Sequence, residues 1–153
     1  MKITDILSPE MVLPELNGNT KPEVLRELAG YLASKHREID SAALFTVLAE
    51  RERLGSTAIG DGIAIPHGKL PGVSNIIGVF GRHVGGVDFD SLDGGPTHLF
   101  FLLVAPEDSA SLHLKALARV SRLMKDPAFR VRLTDASDAA EIFRLIKEED
   151  ARH

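Results

Sequence analysis

The sequence predicts an α/β layered domain, and three observations carry that prediction. Apolar residues recur at helical spacing through residues 21–54; short β-branched or aromatic runs, punctuated by Gly, Pro and Asp, fill residues 57–105; the helical period returns after Pro106. Thr20-Lys21-Pro22-Glu23 forms a capping box with a proline early in the first turn, and Val24, Leu25, Leu28, Ala29 and Leu32 follow on one face, giving a helix near 21–36. Asp40 or Ser41 caps a second helix over 41–54, with the stripe Leu44, Val47 and Leu48, and Gly55 is placed to end it. Thr57–Ile59, Ile63–Ile65, Ile76–Phe80 and His98–Ala105 are expected strands. Leu112–Lys125 forms one helix, Asp126-Pro127 starts a short one, and Ser137 or Asp138 caps a last one reaching about Glu149. Helices thus flank a central sheet on both sides in sequence. No long repeat, low-complexity tract or charge run interrupts the chain, so residues 1–153 are taken as one domain.

Composition excludes several classes of function. The chain has 18 Lys+Arg against 22 Asp+Glu and 44% hydrophobic residues, which suits a folded core rather than a disordered segment. It has no cysteine, which removes disulfides, thiol nucleophiles and cysteine-ligated metals. Uncharged apolar runs such as Leu99–Pro106 fall far short of the ~20 residues a spanning helix needs, so no membrane insertion is expected. Asp5, Pro9 and Glu10 interrupt the first apolar stretch, the secretory pattern is missing, and a cytoplasmic location is expected. An isoelectric point near 5.8 and only seven Phe and one Tyr argue against a nucleic-acid surface.

Three ionisable residues stand where core packing does not explain them. Arg51 shares a helical face with Leu44, Val47 and Leu48, so its guanidinium emerges from the buried stripe and calls for an anion; a last-turn arginine favoured by the helix dipole has the same spacing. Arg53, on the other side, is a surface charge. His67 lies in Gly62-Ile63-Ala64-Ile65-Pro66-His67-Gly68-Lys69, where Pro66 is expected to halt a short strand and Gly68 to leave room for a group to approach the imidazole. A histidine so presented can act as a nucleophile, or can simply donate to a carbonyl in a turn. His113 lies near the angular centre of Ala116, Leu117, Val120 and Met124 and also in the first turn of its helix, where free N–H groups favour an anion; a satisfied boundary histidine is the alternative.

Several enzyme signatures fail. Gly62 and Gly68 enclose too many residues for a P-loop, and Leu70 follows Lys69 where a hydroxyl residue belongs. Gly60-Asp61-Gly62 lacks the third glycine of a dinucleotide fingerprint, and neither a Gly-x-Ser-x-Gly elbow nor a His-Glu-x-x-His pair is present.

The stretch Ala49-Glu50-Arg51-Glu52-Arg53-Leu54-Gly55-Ser56-Thr57-Ala58-Ile59-Gly60-Asp61-Gly62-Ile63-Ala64-Ile65-Pro66-His67-Gly68-Lys69 resembles the phosphorylation-site region of enzyme IIA proteins of the phosphoenolpyruvate phosphotransferase system. More narrowly, it is similar to the nitrogen-regulatory branch of the mannitol/fructose-type family, and the resemblance extends over nearly the whole chain, including Leu99–Ala105 and Leu112-His113-Leu114-Lys115-Ala116-Leu117. It implies a three-layer α/β/α sandwich with a mixed central sheet. It further implies that His67 accepts a phosphoryl group on Nε2 from an HPr/NPr-type phosphocarrier, that His113 hydrogen-bonds that group, and that Arg51 is the active-site arginine. Arg51, His67 and His113 should therefore converge.

The resemblance implies no cofactor and no metal. Two uses follow from it: a regulatory one, in which phosphorylation changes which proteins are bound, and a sugar-uptake one, in which the phosphoryl group passes to a IIB domain. A chain without a fused transporter or IIB segment favours the first. A different class of reading is a metal hydrolase built from His67 and His113 with Asp61 or Asp108, for which ligand spacing is missing. Carrier docking is expected on apolar residues around Pro66-His67, with Lys69–Val73 as a candidate rim.

Overall fold

The computed structural model describes all 153 residues. Short 3₁₀ turns at Ile3–Asp5 and Pro9–Met11 lead into β1 (Val12–Leu13), followed by α1 (Lys21–Lys35) and α2 (Ser41–Arg53). Then come β2 (Ala58–Gly60), β3 (Ile63–Ala64), β4 (His67–Lys69), β5 (Ile77–Val87) and β6 (Thr97–Ala105). The chain ends with α3 (Ala110–Leu123), α4 (Pro127–Asp135) and α5 (Ala139–Asp150).

The caps select the helix starts. The Thr20 hydroxyl accepts from Glu23 N–H; of the two candidate pairs, Asp40 and Asp138 are the caps, accepting from Ala43 and Glu141 N–H. The Asp126 carboxylate caps α4 in the same way.

The sheet is mixed, in the order β1-β5-β6-β3-β2, with β4 also paired to β6. β1 runs parallel to β5, β5 antiparallel to β6, and β3 and β4 both parallel to β6. Pairing of β3 and β4 with β6 keeps one register: Ile63 faces Leu99 and His67 faces Leu103, both strands advancing by the same number of residues. Pro66 therefore interrupts a single strand and does not halt it, contrary to the sequence expectation. It withholds one N–H from the ladder, but its carbonyl still accepts from Leu103 N–H at 2.9 Å, so the chain re-enters the sheet at His67.

Side-chain alternation distributes the helices. Gly81 and Gly68 look toward α1 and α2, since a Cβ on Gly81 would meet Leu28 and one on Gly68 would meet Val47. On the opposite face Arg82 donates to the carbonyls of Leu133, Thr134 and Ala136 at the end of α4, while α3 packs on β6 and α5 on β1. The result is the three-layer α/β/α arrangement. One contiguous apolar core joins the layers, from Ile3 to Ile146 and including Phe80, Phe100 and Phe101.

Besides β4, two strands exceed expectation. β1 was not foreseen, and β5 runs to Val87 where the sequence suggested an end at Phe80. The strand continues through Arg82, which is buried because backbone carbonyls, including that of Pro14, satisfy its guanidinium. The Gly60-Asp61-Gly62 stretch is the β2–β3 turn, with all three residues at positive φ, which explains its glycines without a nucleotide. No helix is long and apolar enough to cross a membrane.

Candidate active site

The three residues singled out from sequence meet at one place. β4 pairs only with β6 and packs against α2, and alternation sends its first two residues opposite ways. Gly68 faces α2, so His67 faces the α3 layer, where its ring meets His113 edge-to-face with centroids 5.4 Å apart. Arg51, in the last turn of α2, reaches round from the other layer, and its Nε lies 3.3 Å from His67 Nε2. The second donor of Arg51, Nη1, is held by the Gly55 carbonyl at 2.9 Å. A cleft of about 350 Å³ opens over these groups, with Val47, Leu54 and Lys69 on its walls.

Hydrogen bonding sets the tautomer of His67. Nδ1 lies 2.8 Å from the Ile65 carbonyl, an acceptor only, so Nδ1 carries the proton. Nε2 then keeps its lone pair, toward which Arg51 points an N–H. Burial holds the pKa of His67 below the ordinary histidine value, the Ile65 hydrogen bond opposes this, and the Arg51 charge adds to the lowering. The ring is a neutral base with one available nitrogen.

His113 occupies the fourth position of α3, not the solvent side of it, and is only 6% exposed. Its Nε2 is buried without a hydrogen-bond partner in the protein. Burial, followed by the charges of His67 and Lys69, lowers its pKa to about 4. Below an unfolded histidine value near 6.5 the unfolded chain takes up a proton that the native His113 refuses, so stability falls as pH drops from about 6.5 to about 4. His67 acts in the same direction. We expect urea midpoints to fall through this window and to fall less steeply in His113→Asn; equal slopes in the two proteins would contradict the assignment.

Gly68 was expected to leave room beside the imidazole, but the room belongs to α2. A Cβ there would lie 2.5 Å from Val47 Cγ1, and a β-branched helical side chain has few rotamers to escape into. Gly68→Ala is therefore expected to cost about 1–3 kcal/mol by overpacking and to displace the helix that carries Arg51. Denaturant titration measures the first effect; wild-type stability would show that α2 is not seated on this glycine.

The turn after α2 is stapled by a residue that sequence reasoning did not single out. The Glu52 carboxylate accepts from Thr57 N–H at 3.0 Å and from the Thr57 hydroxyl, and pairs with Lys21 Nζ at 2.9 Å. Its side chain is 5% exposed. The available signal was spacing, since Glu52 lies one turn after Leu48 on the face of the buried stripe. Arg53 is the surface charge expected, paired with exposed Glu50. Asp61 lies in the β2–β3 turn and Asp108 in the exposed link before α3, and no three His, Asp or Glu side chains are grouped to hold a metal ion. Of Lys69–Val73, Leu70 and Val73 are buried, leaving Lys69 at the cleft.

Comparison with known proteins gives a consistent set of likenesses. Residues 5–149 match the family described as "Phosphoenolpyruvate-dependent sugar phosphotransferase system, EIIA 2". A nitrogen regulatory protein of Bradyrhizobium diazoefficiens is 46% identical over 146 residues, covering 95% of each chain. The fructose-specific EIIABC component of Bacillus subtilis is 37% identical over 98% of this chain, which spans 24% of that longer protein. The crystal structure of the nitrogen regulatory protein IIA-Ntr from Neisseria meningitidis superposes with a TM-score of 0.87 at 32% identity, covering 94% of this chain and 98% of that one.

Proposed function

The chain belongs to the EIIA type 2 family of the phosphoenolpyruvate-dependent sugar phosphotransferase system, and on that premise we propose that it carries a phosphoryl group on His67 Nε2, taken from an HPr/NPr-type phosphocarrier, and regulates partner proteins through its phosphorylation state. The observation that carries this reading is the Nδ1–H bond to the Ile65 carbonyl, which leaves Nε2 as the free nitrogen of a neutral ring facing the cleft.

In the proposed step the Nε2 lone pair attacks the phosphorus of the carrier's phosphohistidine, and a new N–P bond forms at His67. The old N–P bond breaks, its electron pair returning to the carrier's imidazole. Both ring nitrogens of His67 are then substituted, Nε2 by phosphorus and Nδ1 by its proton, which the Ile65 carbonyl retains. Such transfer depends on alignment and on stabilising charge on the equatorial oxygens. Arg51 donates to the lone pair before transfer and is placed to donate to the phosphoryl oxygens afterwards. The unpartnered Nε2 of His113 gains an acceptor when those oxygens arrive, which gives a buried polar atom its missing bond. Leu54 is exposed at the cleft, and Leu112 and Leu114, the sequence neighbours of His113, are exposed too, apolar surface suited to a carrier's docking face. We infer that this exchange takes place in the cytoplasm, a reading that rests on the proposed carrier.

The regulatory use is favoured because the similarity to proteins named for nitrogen regulation extends over almost the full length of both chains. A second use, passing the group to a IIB domain during carbohydrate uptake, is supported by the likeness to the fructose-specific EIIABC component. Incubation with a phosphorylated HPr/NPr-type carrier tests the common premise: an acid-labile, base-stable adduct should appear on this chain. Chasing that adduct with a IIB domain, and comparing proteins retained by the phospho and unmodified forms, separates the two uses.

A further inference from the structure

We propose that Glu52 is a positioning residue for phosphoryl transfer, holding the turn whose carbonyl aims Arg51 at His67. The inference rests on the reading of His67 as the acceptor and adds a residue that never touches the phosphoryl group. Arg51 has two anchors, and only the Gly55 carbonyl at 2.9 Å can fix its orientation before a phosphoryl group is present, since the 3.3 Å bond to His67 is the interaction being aimed. Gly55 itself lies in the exposed turn between α2 and β2, with open space where a Cβ would stand and φ of +146°, so no side-chain packing holds it. The turn is instead closed by Glu52. Its two carboxylate oxygens take both donors of Thr57, and its backbone carbonyl accepts from Gly55 N–H at 3.1 Å.

The carboxylate is anchored in turn. Lys21, at the start of α1, pairs with it and also lies 4.7 Å from the centroid of the Phe89 ring, while the Ser56 hydroxyl donates to the Phe89 carbonyl. The Lys21–Glu52–Thr57 chain thus ties the turn to α1 and to the link between β5 and β6. A buried carboxylate with all its partners in place is rigid, because losing any one leaves a desolvated charge or donor unpaired. A loop free to shift by an ångström would misalign Arg51, and misplacement of that size costs up to about 10²-fold in rate.

The test is a double-mutant cycle with Glu52→Gln, Arg51→Gln and the pair, measuring phosphoryl transfer from a phosphorylated HPr-type carrier and the NMR signal of the Arg51 Nε–H. Glu52→Gln should slow transfer by about 10- to 100-fold and shift or broaden that signal. In the Arg51→Gln background the same substitution should add little, because the residue it serves is gone. Thr57→Val, which removes only the hydroxyl, should reproduce the effect in milder form, with Thr57→Ser restoring wild-type behaviour, and it decides the matter if Glu52→Gln does not fold. A folded Glu52→Gln or Thr57→Val protein with an unmoved Arg51 signal and wild-type rate would overturn the proposal, as would equal slowing by Glu52→Gln with and without Arg51. If the wild-type chain accepts no phosphoryl group, the reading of His67 fails, and the Arg51 signal alone still decides whether Glu52 sets its position.

Discussion

Substituting His67 by alanine is expected to abolish the phosphoryl adduct altogether while leaving a folded protein. The loss is complete because no second nucleophile can stand in. His113 is only 6% exposed, too little for a carrier's phosphohistidine to engage it as a nucleophile, while Arg51 is never deprotonated. The fold survives because the half-buried ring makes two hydrogen bonds, to the Ile65 carbonyl and from Arg51 Nε, each worth about 1 kcal/mol net. Mass spectrometry after incubation with a phosphorylated carrier, beside circular dichroism, checks both halves. Labelling of His67→Ala at the wild-type level would move the acceptor elsewhere.

Loss of Arg51 is the second large effect. In Arg51→Met the stem still packs near Val47 but the guanidinium is gone, and with it the preorganised donor nearest the acceptor nitrogen. One such donor contributes ~3 kcal/mol to a transition state, so transfer should slow by roughly 10²–10³-fold. Arg51→Lys should recover little, because a lysine ammonium cannot span the Gly55 carbonyl and His67 at once as the planar fork does. Stopped-flow or quenched-flow transfer rates measure this; a variant within a few-fold of wild type would show that charge at this place does not matter to the step.

The helices were legible in the sequence because four of the five carry their own punctuation; α3, whose Ser109 makes no side-chain cap, is marked by its apolar period alone. Thr20, Asp40, Asp126 and Asp138 each cap a helix within their own local stretch, and the apolar periods between them need no tertiary partner to be recognised. The sheet was less legible where its stability is supplied from far away. Val12–Leu13 is a strand only because Phe80 and Gly81 lie beside it, and β5 continues through Arg82 only because carbonyls of Leu133, Thr134 and Ala136 receive the guanidinium. Nothing near Arg82 in the chain announces those acceptors.

The site divides the same way. Arg51 and His113 were visible as charged or titratable residues on apolar helical faces, and His67 as an imidazole framed by Pro66 and Gly68. The two framing residues act differently from expectation. Pro66 interrupts a ladder that resumes in register, and Gly68 admits Val47 of α2 rather than an incoming group. Both differences follow from the strand lying between two helical layers, which spacing along the chain does not reveal. Glu52 stayed hidden because its importance comes from Thr57, Lys21 and the turn they close, a set of contacts assembled only in three dimensions.

The central claim is that the carbonyl of Ile65 decides which nitrogen of His67 takes phosphorus. Phosphorylating the ¹⁵N-labelled protein with a phosphorylated carrier and reading the imidazole nitrogens by NMR tests it directly. Phosphorus coupling should appear on Nε2 of His67, with Nδ1 still protonated. Coupling on Nδ1, or on either nitrogen of His113, would contradict the account.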